Sequence, residues 1–88
     1  MLKISIVNES QATICFQLEG SLSGPWVEEL NRLSERALAE SKELVLDLEK
    51  LRFVDLDGAA LLKSLAEREV AQLNCTPFIR EHLERESQ

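Results

Sequence analysis

The sequence predicts an α/β fold, a small mixed β-sheet with packed helices in the order β-β-α-β-α-β-α. Three observations predict it. Leu2, Ile4 and Ile6, and then Ile14, Phe16 and Leu18, alternate with polar neighbours, the period of strands with one buried face. The segments Trp26 to Leu38 and Ala59 to Ala66 repeat apolar residues at helical spacing. Between them, Leu44-Val45-Leu46-Asp47-Leu48 is almost continuously apolar, as in a central strand covered on both sides.

Taken in order, Leu2–Ile6 is the first strand and Asn8-Glu9-Ser10-Gln11 a polar turn. Ala12 to Leu18 is the second strand, and the short turn makes the two an antiparallel hairpin. Gly20-Ser21-Leu22-Ser23-Gly24-Pro25 reads as loop, with Ser23 or Gly24 capping a helix whose first turn holds Pro25. Trp26, Val27, Leu30, Leu33, Ala37 and Leu38 form its apolar face, and the helix is expected to end near Glu40-Ser41. The apolar strand 44–48 follows, then the loop Glu49-Lys50-Leu51-Arg52. Asp57 is the expected N-cap of the next helix, which turns Ala59, Leu61, Leu62, Leu65 and Ala66 inward. Val70–Cys75 is a short strand. Thr76-Pro77 reads as N-cap plus first helical proline of a last amphipathic helix through Phe78, Ile79 and Leu83, with Arg80–Glu84 and Glu81–Arg85 pairs. Strand-helix-strand units imply parallel neighbours with right-handed crossovers, and the opening hairpin adds an antiparallel edge.

Eighty-eight residues suit one domain, 1–88, with a modest core. The net charge of −6 comes from 16 acidic and 10 basic residues, with no basic stripe, so nucleic acid is excluded as a partner. An acidic surface also disfavours anionic membranes, no apolar run spans a bilayer, and the N-terminus alternates rather than forming a signal-peptide core. The expected location is cytoplasmic, with no direct membrane insertion. Cys15 and Cys75 form no CxxC motif and are expected to be reduced, structural thiols. His82 is the one histidine and has no second imidazole with which to build a metal site.

The informative segment is Leu44 to Leu65. Leu44-Val45-Leu46-Asp47-Leu48, the loop 49–52 and Phe53-Val54-Asp55-Leu56-Asp57-Gly58-Ala59-Ala60-Leu61-Leu62 resemble the signature of STAS domains. That signature is an apolar strand ending Asp-Leu, then Phe/Val-Asp-Ser-Ser/Thr-Gly and an apolar helix start. Asn74-Cys75-Thr76-Pro77-Phe78-Ile79 resembles the family's turn into its third helix. The resemblance implies a bacterial protein-interaction module in signal transduction and transcription regulation, of the anti-sigma factor antagonist kind, and no enzyme or cofactor. In well-known members an anti-sigma factor that is also a serine kinase phosphorylates the serine after the motif aspartate. The phosphate adds about −1.5 to −2 charge at the contact surface and switches the complex.

This chain departs from that pattern. Leu56 stands where the phosphoacceptor serine is usual, so that switch is expected to be absent, and Asp57 replaces the following Ser or Thr. The span from Gly58 to Pro77 is short and lacks the usual Gly-rich turn, and the family's last strand and helix are expected to be missing, with a smaller sheet or an edge completed by another chain. The resemblance places partner binding at Asp55, Leu56, Asp57 and Gly58, with Ser21, Leu22, Ser23 and Trp26 on the nearby loop. The alternative partner is the ATPase of an ABC-type lipid transporter, which small STAS subunits bind, and a homodimer through the sheet edge or the apolar helix faces is a further expectation.

The same residues bear three other readings. Phe53-Val54-Asp55-Leu56-Asp57-Gly58 is similar to the first motif of haloacid-dehalogenase-type phosphatases, where Asp55 would be the nucleophile, Asp57 the acid/base and Mg²⁺ the metal. The motif lies too far from the N-terminus, and too little chain follows for the lysine and second acidic pair. An EF-hand fails because Phe53 would occupy its first ligand position. The structural reading gives Asp55 to loop N–H groups, Asp57 to a cap, Trp26 to packing, Glu81-Glu84-Glu86 to a solvated face and Leu56 to the core, whereas the place of Leu56 between two aspartates favours its exposure.

Overall fold

The computed structural model describes residues 1–77 and 79–81. Its elements are β1 (Leu2–Glu9), β2 (Thr13–Leu22), α1 (Pro25–Ala39), β3 (Glu43–Val54), α2 (Leu56–Glu67) and β4 (Ala71–Leu73), and residues 77 and 79–81 are helical. The sheet order is β1-β2-β3-β4, with β1 antiparallel to β2 and the other neighbours parallel. The mixed α/β architecture and its order match the sequence prediction. Thr76 caps the last helical segment as expected, its Oγ1 accepting the Ile79 N–H at 3.3 Å. Phe78, His82, Leu83, Glu84, Arg85 and Glu86, assigned above from the sequence, lie outside the described residues.

The hairpin closes through Ser10, whose Oγ accepts the Ala12 and Thr13 N–H groups at 3.3 and 3.1 Å. Asn8 and Glu9 therefore belong to β1 rather than to the turn, and Ala12 is exposed in it. A register shift between Ile6 and Asn8 leaves one extra residue in β1. Ile6 is 58% exposed, contrary to its expected place on the buried face.

The core lies on one side of the sheet. Leu2, Ile14, Phe16, Leu18, Leu44, Leu46 and Leu48 share it with Leu30 and Ala37 of α1 and Ala59, Leu62 and Leu65 of α2. Val45 and Asp47 alternate with these leucines and are only half-buried. The expectation that β3 is covered on both faces is thus corrected: both helices pack on the leucine face. Ala66, expected inward, is exposed, because the buried α2 positions 58, 59, 62 and 65 point away from it.

Two segments read as loop are strand. β2 runs through Gly20, Ser21 and Leu22, and β3 through residues 49–52. The two strands stay paired because β3 takes up two register shifts, between Gln17 and Glu19 and between Gly20 and Ser21 of its partner. These bulges change the burial spacing in β3 from two residues (Leu44, Leu46, Leu48) to three (Leu51, Val54), so every leucine still reaches the core.

Asp47 faces away from the helices and ties β3 to the turn after β4. Its Oδ1 accepts the Glu49 N–H at 3.0 Å and the Asn74 side-chain amide at 3.1 Å. The Glu49 bond, then that of Asn74, holds its carboxyl below the usual carboxylate range, with Gln17 and Lys50 adding to the effect against a small opposing burial. A depressed folded-state pKa contributes stability above the unfolded value of about 3.9, and this is lost as pH falls through the folded value. The urea midpoint of Asp47→Asn is expected to fall less steeply than wild type below about pH 4, where the unfolded carboxylate titrates. Parallel curves would remove Asp47 from the acid response.

Ser34 is fully buried on α1, and its hydroxyl has no hydrogen-bond partner among the described residues. Burying an unpaired hydroxyl costs about 1–3 kcal/mol, and alanine is the better helix former. Ser34→Ala is expected to raise Tm by about 4–8 °C per kcal/mol recovered, read by thermal circular dichroism.

Candidate functional site

Three chain segments meet where β3 gives way to α2. Asp55 is the N-cap of α2, with extended backbone at φ −87° and ψ −175°. Its Oδ1 accepts the Gly58 N–H at 2.7 Å, and its Oδ2 accepts the Gly24 N–H, 31 residues earlier in the chain, at 3.0 Å. Its own N–H donates to the Leu22 carbonyl at 3.1 Å. Asp55 therefore fastens three segments together: its carboxylate holds the loop before α1 and the first turn of α2, and its backbone N–H holds the end of β2. Asp57, expected as the cap, instead lies exposed in that first turn, where the helix dipole favours its charge.

Gly58 makes this convergence sterically feasible. A Cβ there would stand 2.5 Å from the Leu22 carbonyl oxygen and 3.1 Å from Leu22 Cγ. Gly24, the N-cap of α1, has φ 57° and ψ −134° and no side-chain cap, a conformation that suits glycine. With neither Ser23 nor Gly24 supplying a capping side chain to α1, the Gly24 N–H is met by Asp55 from across the sheet.

The eight residues singled out in the sequence separate into a frame and a surface. Leu22 and Gly58 are buried, so they shape the turn from beneath and offer no side chain to a partner. Asp55, Ser21, Ser23 and Trp26 are half-buried, and Trp26 packs against the core. Leu56 is 70% exposed and Asp57 is exposed beside it.

Sequence reasoning missed the groove next to this turn. A shallow depression of about 340 Å³ runs between the starts of α1 and α2, lined by Gly24, Val27, Glu28, Asn31, Asp57 and Leu61. Gly24, Glu28 and Asn31 at helical spacing are the signal that could have found its α1 wall. Val27 and Leu61 give it an apolar floor, Glu28 and Asp57 give it negative charge, and among the described residues no cation lines it. Such a surface suits a protein face that brings apolar and basic groups together.

Among the described residues no three His, Cys, Asp or Glu side chains gather as metal ligands, and no helix is long and apolar enough to cross a membrane. Cys15 and Cys75 are both free and half-buried. Burial pushes both thiols above their usual range, and the charge of Asp47 adds to the rise at Cys15.

The sequence model of the STAS domain matches residues 5–85. The fold is similar to that of the anti-sigma factor antagonist SpoIIAA in its unphosphorylated form, with a TM-score of 0.70 and 22% identity over 93% of this chain and 82% of that one. It is also similar to an uncharacterized protein of the DUF3478 family with a SpoIIAA-like fold from Shewanella loihica, with a TM-score of 0.56 and 24% identity over 76% of this chain and 56% of that one. Among curated proteins, none matches the chain in sequence.

Proposed function

The chain belongs to the STAS domain family, and from that membership and the geometry of the β3–α2 turn we propose that it is a binding module of the anti-sigma factor antagonist kind. It would bind a regulatory protein through Leu56, Asp57 and the start of α2, with the loop Ser21–Trp26 alongside. The observation that carries this is Leu56: a large apolar side chain, 70% exposed, on a turn held from three sides by Asp55. Rigid presentation of an apolar anchor lowers the entropy cost of docking. The reading includes a cytoplasmic, bacterial setting in signal transduction and transcription regulation.

Control by phosphate at the family's usual position is proposed absent, since Leu56 has no hydroxyl. The neighbouring hydroxyls are poorly placed to replace it: Ser21 and Ser23 are half-buried, and Thr76 Oγ1 is engaged in capping. Binding rather than catalysis is favoured because both oxygens of Asp55 already accept backbone N–H groups.

The test is affinity capture from the native organism's lysate by wild type, Leu56→Glu and the distant control Leu73→Glu, with captured proteins identified by mass spectrometry. A kinase-like anti-sigma factor held by wild type and Leu73→Glu but lost by Leu56→Glu supports the reading. An ABC ATPase with the same pattern assigns the chain to lipid transport, a role that the constitutively apolar Leu56 also suits. Equal capture by all three forms moves the interface off this turn. Mg²⁺-dependent phosphatase activity abolished in Asp55→Asn would replace binding by catalysis.

A further inference from the structure

We propose that β1 is a self-association edge, at which two copies of this chain pair β1 against β1, antiparallel, about a two-fold axis at Ser5. The sheet ends in two unlike edges. β4 has three residues, and so short a strand is a poor template for another chain. β1 has eight residues, no proline and one lysine, so it lacks most of the features that usually blunt an edge.

The backbone polarity of β1 follows from one bond. The Ser21 N–H donates to the Met1 carbonyl at 2.9 Å, which continues the register that sets Leu2 opposite Gly20. In an antiparallel ladder the residues that exchange hydrogen bonds alternate. Lys3 and Ser5 therefore turn their N–H and C=O toward β2, while those of Leu2, Ile4 and Ile6 point out of the sheet. The side chains of these outward residues stand on the helix-bearing face. Leu2 is buried there, Ile4 is half-buried and Ile6 is 58% exposed. A groove of about 260 Å³, lined by apolar Ile6, Ile14 and Phe16 and by charged Glu9, Arg36 and Glu40, remains beside α1 and leaves the end of β1 uncovered.

A second copy fits this edge, and the axis position is selective. Centred on Ser5, the pairing sets Ile4 of each copy opposite Ile6 of the other, so each exposed isoleucine gains an apolar cross-strand partner. Lys3 falls opposite Val7 of the other copy, which is itself 51% exposed, and the two lysines stay apart. Glu9, opposite Ile14 on the helix-bearing face and already paired with Lys42 at 2.7 Å, stays clear of the other copy's Lys3 on the opposite face. An axis at Ile4 would bring the lysines diagonal to each other. An axis at Ile6 would bring the register shift that follows that residue into the central rungs, whereas the axis at Ser5 keeps Ile4, Ser5 and Ile6 clear of it.

Sedimentation equilibrium of the full chain over a wide concentration range tests this. Wild type is expected to pass from monomer to dimer. Ile6→Lys, at an exposed position, is expected to weaken the dimer by about tenfold or more while keeping the wild-type circular dichroism and Tm. At the proposed axis the two Ser5 Cα atoms form a non-hydrogen-bonded pair about 4.5 Å apart, within reach of a disulfide. With Cys15 and Cys75 changed to alanine, Ser5→Cys is expected to oxidise to a covalent dimer, whereas Leu73→Cys at the other edge is not. Wild type that stays monomeric, a dimer that Ile6→Lys leaves intact, or a covalent dimer through Leu73→Cys in place of Ser5→Cys would overturn the proposal.

Discussion

Gly58→Ala is expected to destabilise the protein by about 2 kcal/mol or more, against the ordinary advantage of alanine over glycine in a helix, worth about 1 kcal/mol. The added methyl would lie 2.5 Å from the Leu22 carbonyl oxygen, and this contact is with backbone rather than with the end of a flexible side chain. That oxygen also accepts the Asp55 N–H at 3.1 Å, so drawing β2 away from α2 would weaken the bond that starts the turn. Leu22 is completely buried and cannot swing aside. The measurement is a urea unfolding midpoint, with Gly24→Ala alongside. A methyl at Gly24 meets nothing within 4 Å, so its cost comes from the backbone conformation alone (φ 57°, ψ −134°), about 1–3 kcal/mol. A Gly58→Ala midpoint equal to wild type would mean that α2 does not approach β2 as closely as described.

Asp55→Ala is expected to cost about 2–3 kcal/mol, more than the ~1 kcal/mol of an ordinary lost helix cap. The excess arises because the second carboxylate oxygen holds the Gly24 N–H, which the α1 cap leaves without another acceptor. Asp55→Asn retains one acceptor oxygen but turns an amide N–H₂ toward the other donor, so its loss should fall between wild type and alanine. Amide hydrogen exchange separates the two bonds. Alanine should release both the Gly24 and Gly58 N–H groups, and asparagine one of them. If both amides stay protected in the alanine variant, the carboxylate is not the fastener.

These expectations rest on geometry that the sequence conveyed unevenly. The signature Val54-Asp55-Leu56-Asp57-Gly58 marked the family and a strand-to-helix turn, and the exposure of Leu56 follows from its place between two aspartates at the start of α2. The division of labour between the two aspartates was not legible. Both are good capping residues, and choosing between them needs the position of the Gly24 N–H, 31 residues away from Asp55. Leu22 looked like part of a binding loop because Gly20 and Gly24 flank it. Only the pairing of Leu22 with Val54 shows that it is strand and core.

By itself the sequence determined what depends on local periodicity and local backbone chemistry. The two-residue alternation in β1 and β2, the helical stripe from Trp26 to Leu38 and the Thr76-Pro77 helix start each need only near neighbours to be read. The tertiary structure decided whatever depends on a distant partner. The spacing Leu48, Leu51, Val54 has no strand period, yet it forms strand because β2 lies alongside and two bulges turn each residue back toward the helices. The face of the sheet that α1 and α2 cover, and the exposure of Ile6 at its edge, follow from where those helices settle. The reason is the same in each case: a backbone hydrogen bond or a buried face is completed by whichever group packing brings to it, and a linear pattern does not record that group.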